Sequence, residues 1–135
     1  MSHDLQGIEL PVDHGEAFDL IADPFQLPRW TRAFSEVDGG SAVMRTPAGE
    51  VTVALRVDAD RSKGTVDWTM TFPDGSQARA FSRVVPLGAG RCHYSLVLTP
   101  PPVPLEDLEG TLEEQSRTLR EELKALARLL GSHDG

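Results

Sequence analysis

The chain has 135 residues, 39% of them apolar and 25% charged, with 21 acids against 13 bases and a formal net charge of −8. That balance is globular, and a chain this long supports one real core, so a single domain over residues 1–135 is expected. The acidic surface excludes a phosphate-reading face and repels anionic lipid, no apolar run approaches the ~18 residues of a membrane span, and the opening MSHDLQGIEL lacks a basic stretch followed by an apolar one. Nucleic acid and membrane are therefore not expected partners.

Residues 5–12 (LQGIELPV) read as an opening strand. Asp13 follows as a helix cap with Glu16 at its N3 position, and Val12 and Ala17 are placed as a hydrophobic staple. This helix carries Phe18 and Ile21 on one side and ends near Ala22. Asp23-Pro24 opens a second short helix, which Pro28 interrupts before Trp30 and Phe34. From about residue 36 to 99 the period becomes two: Val51, Val53, Leu55 and Val57, then Val66, Trp68, Met70 and Phe72, then Tyr94, Leu96 and Leu98 alternate with more polar neighbours. The breaks at Gly39-Gly40, Pro47-Ala48-Gly49, Ser62-Lys63-Gly64, Pro73-Asp74-Gly75 and Gly88-Ala89-Gly90 are short turns, which makes the strands an antiparallel meander. The proline run 100–104 forms a corner into a helical tail. There Leu105, Leu108, Leu112, Leu119, Leu123, Leu126 and Leu130 form one stripe at about 100° per residue, and Thr111 with Glu114 is a capping box at which the main helix can begin. Arg117, Arg120, Lys124 and Arg128 interleave with Glu113, Glu114, Glu121 and Glu122, the pattern of a solvated helix face. The apolar face of the meander is the one surface able to bury the leucine stripe.

This order of one strand, two short helices, about six strands and a long helix resembles the START-like (SRPBCC) superfamily, which includes polyketide cyclases and chaperone-ATPase activators. The sharpest local match is residues 8–30, IELPVDHGEAFDLIADPFQLPRW, where Asp23-Pro24-Phe25-Gln26-Leu27-Pro28-Arg29-Trp30 fits a D-P-x-x-L-P-x-W segment. The resemblance implies an α+β helix-grip fold: a curved antiparallel sheet of about seven strands wrapped around a long C-terminal helix, with two short helices after strand 1. It further implies a ligand cavity between sheet and helix. It does not imply an enzyme.

The residues that could carry chemistry are few. His3, His14, His93 and His133 form no pair at ligand spacing on one element, so neither a metal nor a cofactor is expected. Cys92, the lone cysteine, can form no internal disulfide, which points to a reducing, cytoplasmic setting. It points away from His93 as strand neighbours must, and reads as a small buried hydrophobe.

The turn at Phe72-Pro73-Asp74-Gly75-Ser76 fits a three-residue hairpin loop, pairing Phe72 with Ser76 and Trp68 with Ala80. Trp68, Met70, Ala78, Ala80, Ser82 and Val84 then face inward, while Asp67, Arg79 and Arg83 face outward as neighbours able to pair. The small Ala78, Ala80 and Ser82 leave room beneath the helix, and Ser116 within the leucine stripe would add one hydroxyl to that space. Thr46-Pro47-Ala48-Gly49-Glu50 has the same P-x-G form. The same loop there pairs Arg45 with Val51 and turns Arg45 inward; a four-residue loop buries Met44 instead.

The candidate ligand-binding residues are accordingly Trp30, Val53, Leu55, Trp68, Met70, Ala80, Ser82, Leu96, Ser116 and Leu119, with Tyr94 and Arg45 as candidates for catalysis. The expected partner is a hydrophobic or aromatic small molecule, bound by a carrier or by a cyclase-like enzyme. A protein-interaction module of the chaperone-activator kind is the alternative, for which an outward Phe81 speaks. The oligomeric state is left open.

Overall fold

Each alternating stretch becomes a strand in the computed structural model, which describes residues 4–46, 49–99 and 108–131, the last segment with side chains from residue 116 onward. The chain runs through β1 (Asp4–Leu10), α1 (His14–Ala22), a 3-10 turn (Pro24–Gln26), α2 (Leu27–Trp30), β2 (Phe34–Asp38), β3 (Ser41–Thr46), β4 (Gly49–Asp60), β5 (Thr65–Thr71), β6 (Gln77–Gly88), β7 (Arg91–Leu98) and α3 (Leu108–Gly131). The strands form a seven-stranded antiparallel sheet in the order β1-β7-β6-β5-β4-β3-β2. Strands β2 to β7 follow one another as hairpins. β1 crosses over through the short helices to pair with β7 at the opposite edge. Among the described residues no helix is long and apolar enough to cross a membrane.

The period-two reading is visible in burial: β5 throughout, and β6 from Gln77 to Val84, alternate between buried and less buried residues. The inner positions of the sheet join Leu119, Leu123, Leu126 and Leu130 of α3 and Phe18, Ile21, Leu27 and Trp30 of the short helices in one buried cluster. The Pro73-Asp74-Gly75 turn closes as its residues demand. Phe72 donates to the Ser76 carbonyl at 2.8 Å, Gly75 donates to the Phe72 carbonyl at 2.9 Å, and Gly75 takes φ +89°. Trp68 consequently pairs with Ala80.

Four local expectations are corrected. Asp13 stands at the N-cap of α1 without capping it; its Oδ1 instead accepts from the Gly90 N–H at 2.8 Å, which ties the helix start to the β6–β7 turn. Pro28 does not interrupt a helix but sits in the first turn of α2, where its missing N–H leaves no hydrogen bond unmade. α3 begins at Leu108 rather than at Thr111. Asp67 forms no ion pair with Arg79 or Arg83: its Oδ1 lies 3.4 Å from the Ser82 N–H, while Arg83 donates to the Lys63 carbonyl and Arg79 to Gln77. The proline run 100–104, the loop residues 47–48, and the side chains of Leu105, Leu108, Thr111, Leu112 and Glu114 lie outside the described residues.

An aromatic cluster sits in this core. The Trp30 ring centroid is 6.4 Å from Trp68, tilted by 60°, and 6.3 Å from Tyr94 in an edge-on arrangement at 84°. All three are buried, and Trp30 Nε1, Trp68 Nε1 and the Tyr94 hydroxyl make no hydrogen bond among the described residues. The Ser82 hydroxyl is committed to the Val66 carbonyl at 2.5 Å.

Two predictions follow from this packing. A Cβ on Gly64 would lie 2.3 Å from the Val84 carbonyl oxygen at a φ of +72°, whereas one on Gly75 meets nothing. Gly64→Ala should therefore cost about 3 kcal/mol or more in urea unfolding, against about 1 kcal/mol for Gly75→Ala, which keeps only the left-handed backbone penalty. Tyr94→Phe removes an unpaired buried hydroxyl without emptying the site, so its unfolding free energy should stay within about 1 kcal/mol of wild type or rise; a loss of several kcal/mol would show the hydroxyl to be held.

Candidate functional site

Between the sheet and α3 lies a cavity of about 440 Å³. Its position follows from residue size. Ala78 and Ala80 put only methyl groups under the helix, and Trp30, Trp68, Met70, Leu96, Leu98 and Leu119 enclose the space they leave. The volume falls in the range of sites that take drug-sized molecules, about 300–1,000 Å³. The exposed Arg32, Arg45 and Arg79 line its solvent side.

The candidate ligand-binding residues separate into two groups. Trp30, Trp68, Met70, Ala80, Leu96 and Leu119 line the cavity together. Val53 and Leu55 are buried on the same face of the sheet but away from the cavity wall, and Ser82 is buried with its hydroxyl on the Val66 carbonyl. Ser116 is a correction. Its hydroxyl accepts from Gln6 Nε2 at 2.9 Å, and it lies in a separate groove between β1 and α3. An edge strand offering an amide side chain draws the serine sideways, out of the stripe's inner face.

Tyr94 points inward as expected but packs edge-on against Trp30 and is not part of the cavity wall. Burial pushes its phenol far above the usual tyrosine range; the Ser82 hydroxyl acts in the opposite direction but falls short of hydrogen-bond geometry with it. A proton held so firmly on a hydroxyl outside the cavity lining does not suit acid–base work.

Arg45 is the second correction. The β3–β4 register pairs Arg45 with Glu50, Thr46 with Gly49 and Met44 with Val51, so the connection is two residues long and the faces are exchanged. Met44 turns inward onto the cavity wall, and Arg45 faces outward and is exposed. Burying a thioether beside Val51 gains apolar contact, whereas a guanidinium turned inward would lose its hydration. From the rim, Arg45 Nη1 donates to the Arg32 carbonyl at 3.0 Å, and its backbone N–H donates to the Ala33 carbonyl at 2.8 Å.

The sequence reading missed Glu122. Assigned there to a solvated face, it is 7% exposed and lines the cavity. Its Oε2 accepts the Arg32 N–H at 2.5 Å and lies 3.4 Å from the Ala33 N–H. Burial pushes its carboxyl above the ordinary value of 4.5, while these backbone N–H groups and the Arg32 charge pull it down. A signal was present: Glu122 stands three residues after Leu119 and four before Leu126, and so borders the buried stripe. Arg32 and Ala33 are thus held from two sides, by Glu122 from the helix and by Arg45 from the sheet.

No protein-family model matches the chain, and no curated protein sequence matches it. Solved structures do. XoxI from Bacillus cereus superposes with a TM-score of 0.73 at 15% identity, over 100% of this chain and 99% of its own. A START superfamily protein from Mycobacterium smegmatis gives 0.67 at 13% identity, over 96% and 99%. The ZhuI aromatase/cyclase from a Streptomyces species gives 0.68 at 13% identity, over 98% and 93%. The likeness spans every element described above, and the chain has the START-like fold.

Proposed function

We propose that the chain, acting as a single START-like domain in the cytoplasm, binds a hydrophobic small molecule in the cavity between the sheet and α3. The observation that carries this reading is the cavity itself, about 440 Å³ of space walled by Trp30, Trp68, Met70, Leu96 and Leu119 and left unfilled by Ala78 and Ala80. Close-packed interiors do not keep such space without an occupant or a path to solvent. Apolar walls supply affinity, and a few polar groups orient what is bound.

A cyclase-like activity is the finer form of the proposal. ZhuI, which shares the fold, is an aromatase/cyclase. A shaped apolar cavity folds a flexible chain into a near-attack conformer, and one proton-transfer group completes such a site. Glu122, the one carboxyl on the wall among the described residues, is the side chain fitted to that part, in place of Tyr94 and Arg45.

The interaction-module reading has one observation in its favour: Phe81 is 41% exposed on the outer face of β6, with Val85 and Leu87 exposed further along that strand. Arg79 and Arg83 flank Phe81 there, which breaks the apolar row.

An anilinonaphthalene sulfonate dye should bind saturably at one site and quench Trp30 and Trp68. Ala80→Phe, which fills the floor of the cavity, should weaken it by about tenfold or more, equal to about 1.4 kcal/mol, while Phe81→Ser on the outer face leaves it unchanged. Absence of saturable binding would defeat the reading.

The protonation of Glu122 gives a second check. Its folded-state pKa lies above the unfolded value, so the folded state binds the extra proton and stability falls as pH rises from the unfolded value through the folded one. Measured by thermal unfolding between about pH 5 and about pH 8, wild type should lose stability relative to Glu122→Gln as pH rises. A difference that stays constant with pH would place the carboxylate in water.

A further inference from the structure

Glu122 is divided between two tasks. Oε2 faces the Arg32 and Ala33 N–H groups, whereas Oε1 receives no hydrogen bond from any described residue. The residue is nine-tenths buried and lies on the cavity wall, which leaves Oε1 as the carboxylate oxygen available to what binds there. A carboxylate oxygen in an apolar space accepts hydrogen bonds and gives none. Left without a donor it is costly; met by one, it forms a bond of the charge-assisted kind.

Resting on the reading that this cavity binds a small molecule, we propose that its ligand carries a neutral hydroxyl, an alcohol or a phenol, at the buried end, donated to Oε1 of Glu122. The lining charges decide between a hydroxyl and an ammonium group. Arg32, Arg45 and Arg79 line the same cavity, and Glu122 is the single acid among its described lining residues. A cation would pass three guanidinium groups to reach one carboxylate, while a neutral donor meets no such barrier. Burial raises this carboxyl, while the Arg32 and Ala33 N–H groups and the Arg32 charge favour the ionised form, in which Oε1 is an acceptor.

Four probes of one ring size separate the alternatives by calorimetry on the full chain near neutral pH: naphthol, methoxynaphthalene, naphthalene and naphthylmethylammonium. Naphthol should bind about tenfold or more tighter than methoxynaphthalene or naphthalene, the ratio expected when a buried charged acceptor gains or lacks its donor. In Glu122→Gln the amide oxygen must serve the Arg32 N–H, which turns the NH2 group into the cavity. The preference for naphthol over methoxynaphthalene should then shrink to about twofold or reverse. Equal or tighter binding of methoxynaphthalene to wild type overturns the proposal, as does tighter binding of naphthylmethylammonium. Both outcomes leave the small-molecule reading standing, whereas saturable binding of none of the four overturns both. The wild-type comparison decides the matter even if Glu122→Gln fails to fold.

Discussion

A carboxylate withdrawn from water must be given donors, and the backbone N–H groups of Arg32 and Ala33 give Glu122 its donors. This one requirement fixes the geometry around it. The helix is locked in rotation, because only one face of α3 can present position 122 to the Arg32 N–H while burying Leu119, Leu123 and Leu126. The segment leaving α2 is locked in turn, and with it the approach of β2 to the sheet edge. Arg45 completes the arrangement on the far side of the Arg32–Ala33 peptide, its guanidinium on the Arg32 carbonyl while the Ala33 N–H of that peptide lies 3.4 Å from Glu122 Oε2. Acid and base never touch; a peptide group lies between them and is polarised by both.

The core next to this clamp keeps features that packing alone would remove. Each buried donor without a partner costs about 1–3 kcal/mol, and Trp30, Trp68 and Tyr94 bring three of them into one cluster. Phenylalanine at any of these positions would fill similar space without a polar atom. Such concessions gather where a structure serves something besides its own stability, and here Trp30 and Trp68 line the cavity while Tyr94 packs behind Trp30.

Legibility in the sequence followed how local the deciding physics was. The hairpin at Phe72–Ser76 could be read to the residue, because Asp74-Gly75 restricts its turn to one geometry and the register of β5 on β6 follows from it. The apparently identical signal at Pro47-Ala48-Gly49 misled, since there the pairing is decided by which of Met44 and Arg45 gains from burial, a comparison made with the far side of the sheet. Ser116 went wrong for a related reason: helical phase placed it in the stripe, but its partner is Gln6, 110 residues away. Glu122 was hidden by the rule that a charge in a repeating charged pattern belongs in water. That rule fails when a loop distant in sequence brings its own N–H groups. The cavity wall, built from alternation, was legible where the candidate residues Trp30, Trp68, Met70, Ala80, Leu96 and Leu119 line it.

The strand order also has a temporal side. β2 to β7 pair with their sequence neighbours and can zip together one hairpin after another as the chain emerges. β1 cannot: every residue of it waits for β7, with Leu10 paired to Cys92 and Asp4 to Leu98. The loop that must close is the longest in the sheet, and its entropy is lost before any contact rewards it. Until then the sheet presents an open edge at β7, and β1, made before every other strand of the sheet, is among the last to be secured.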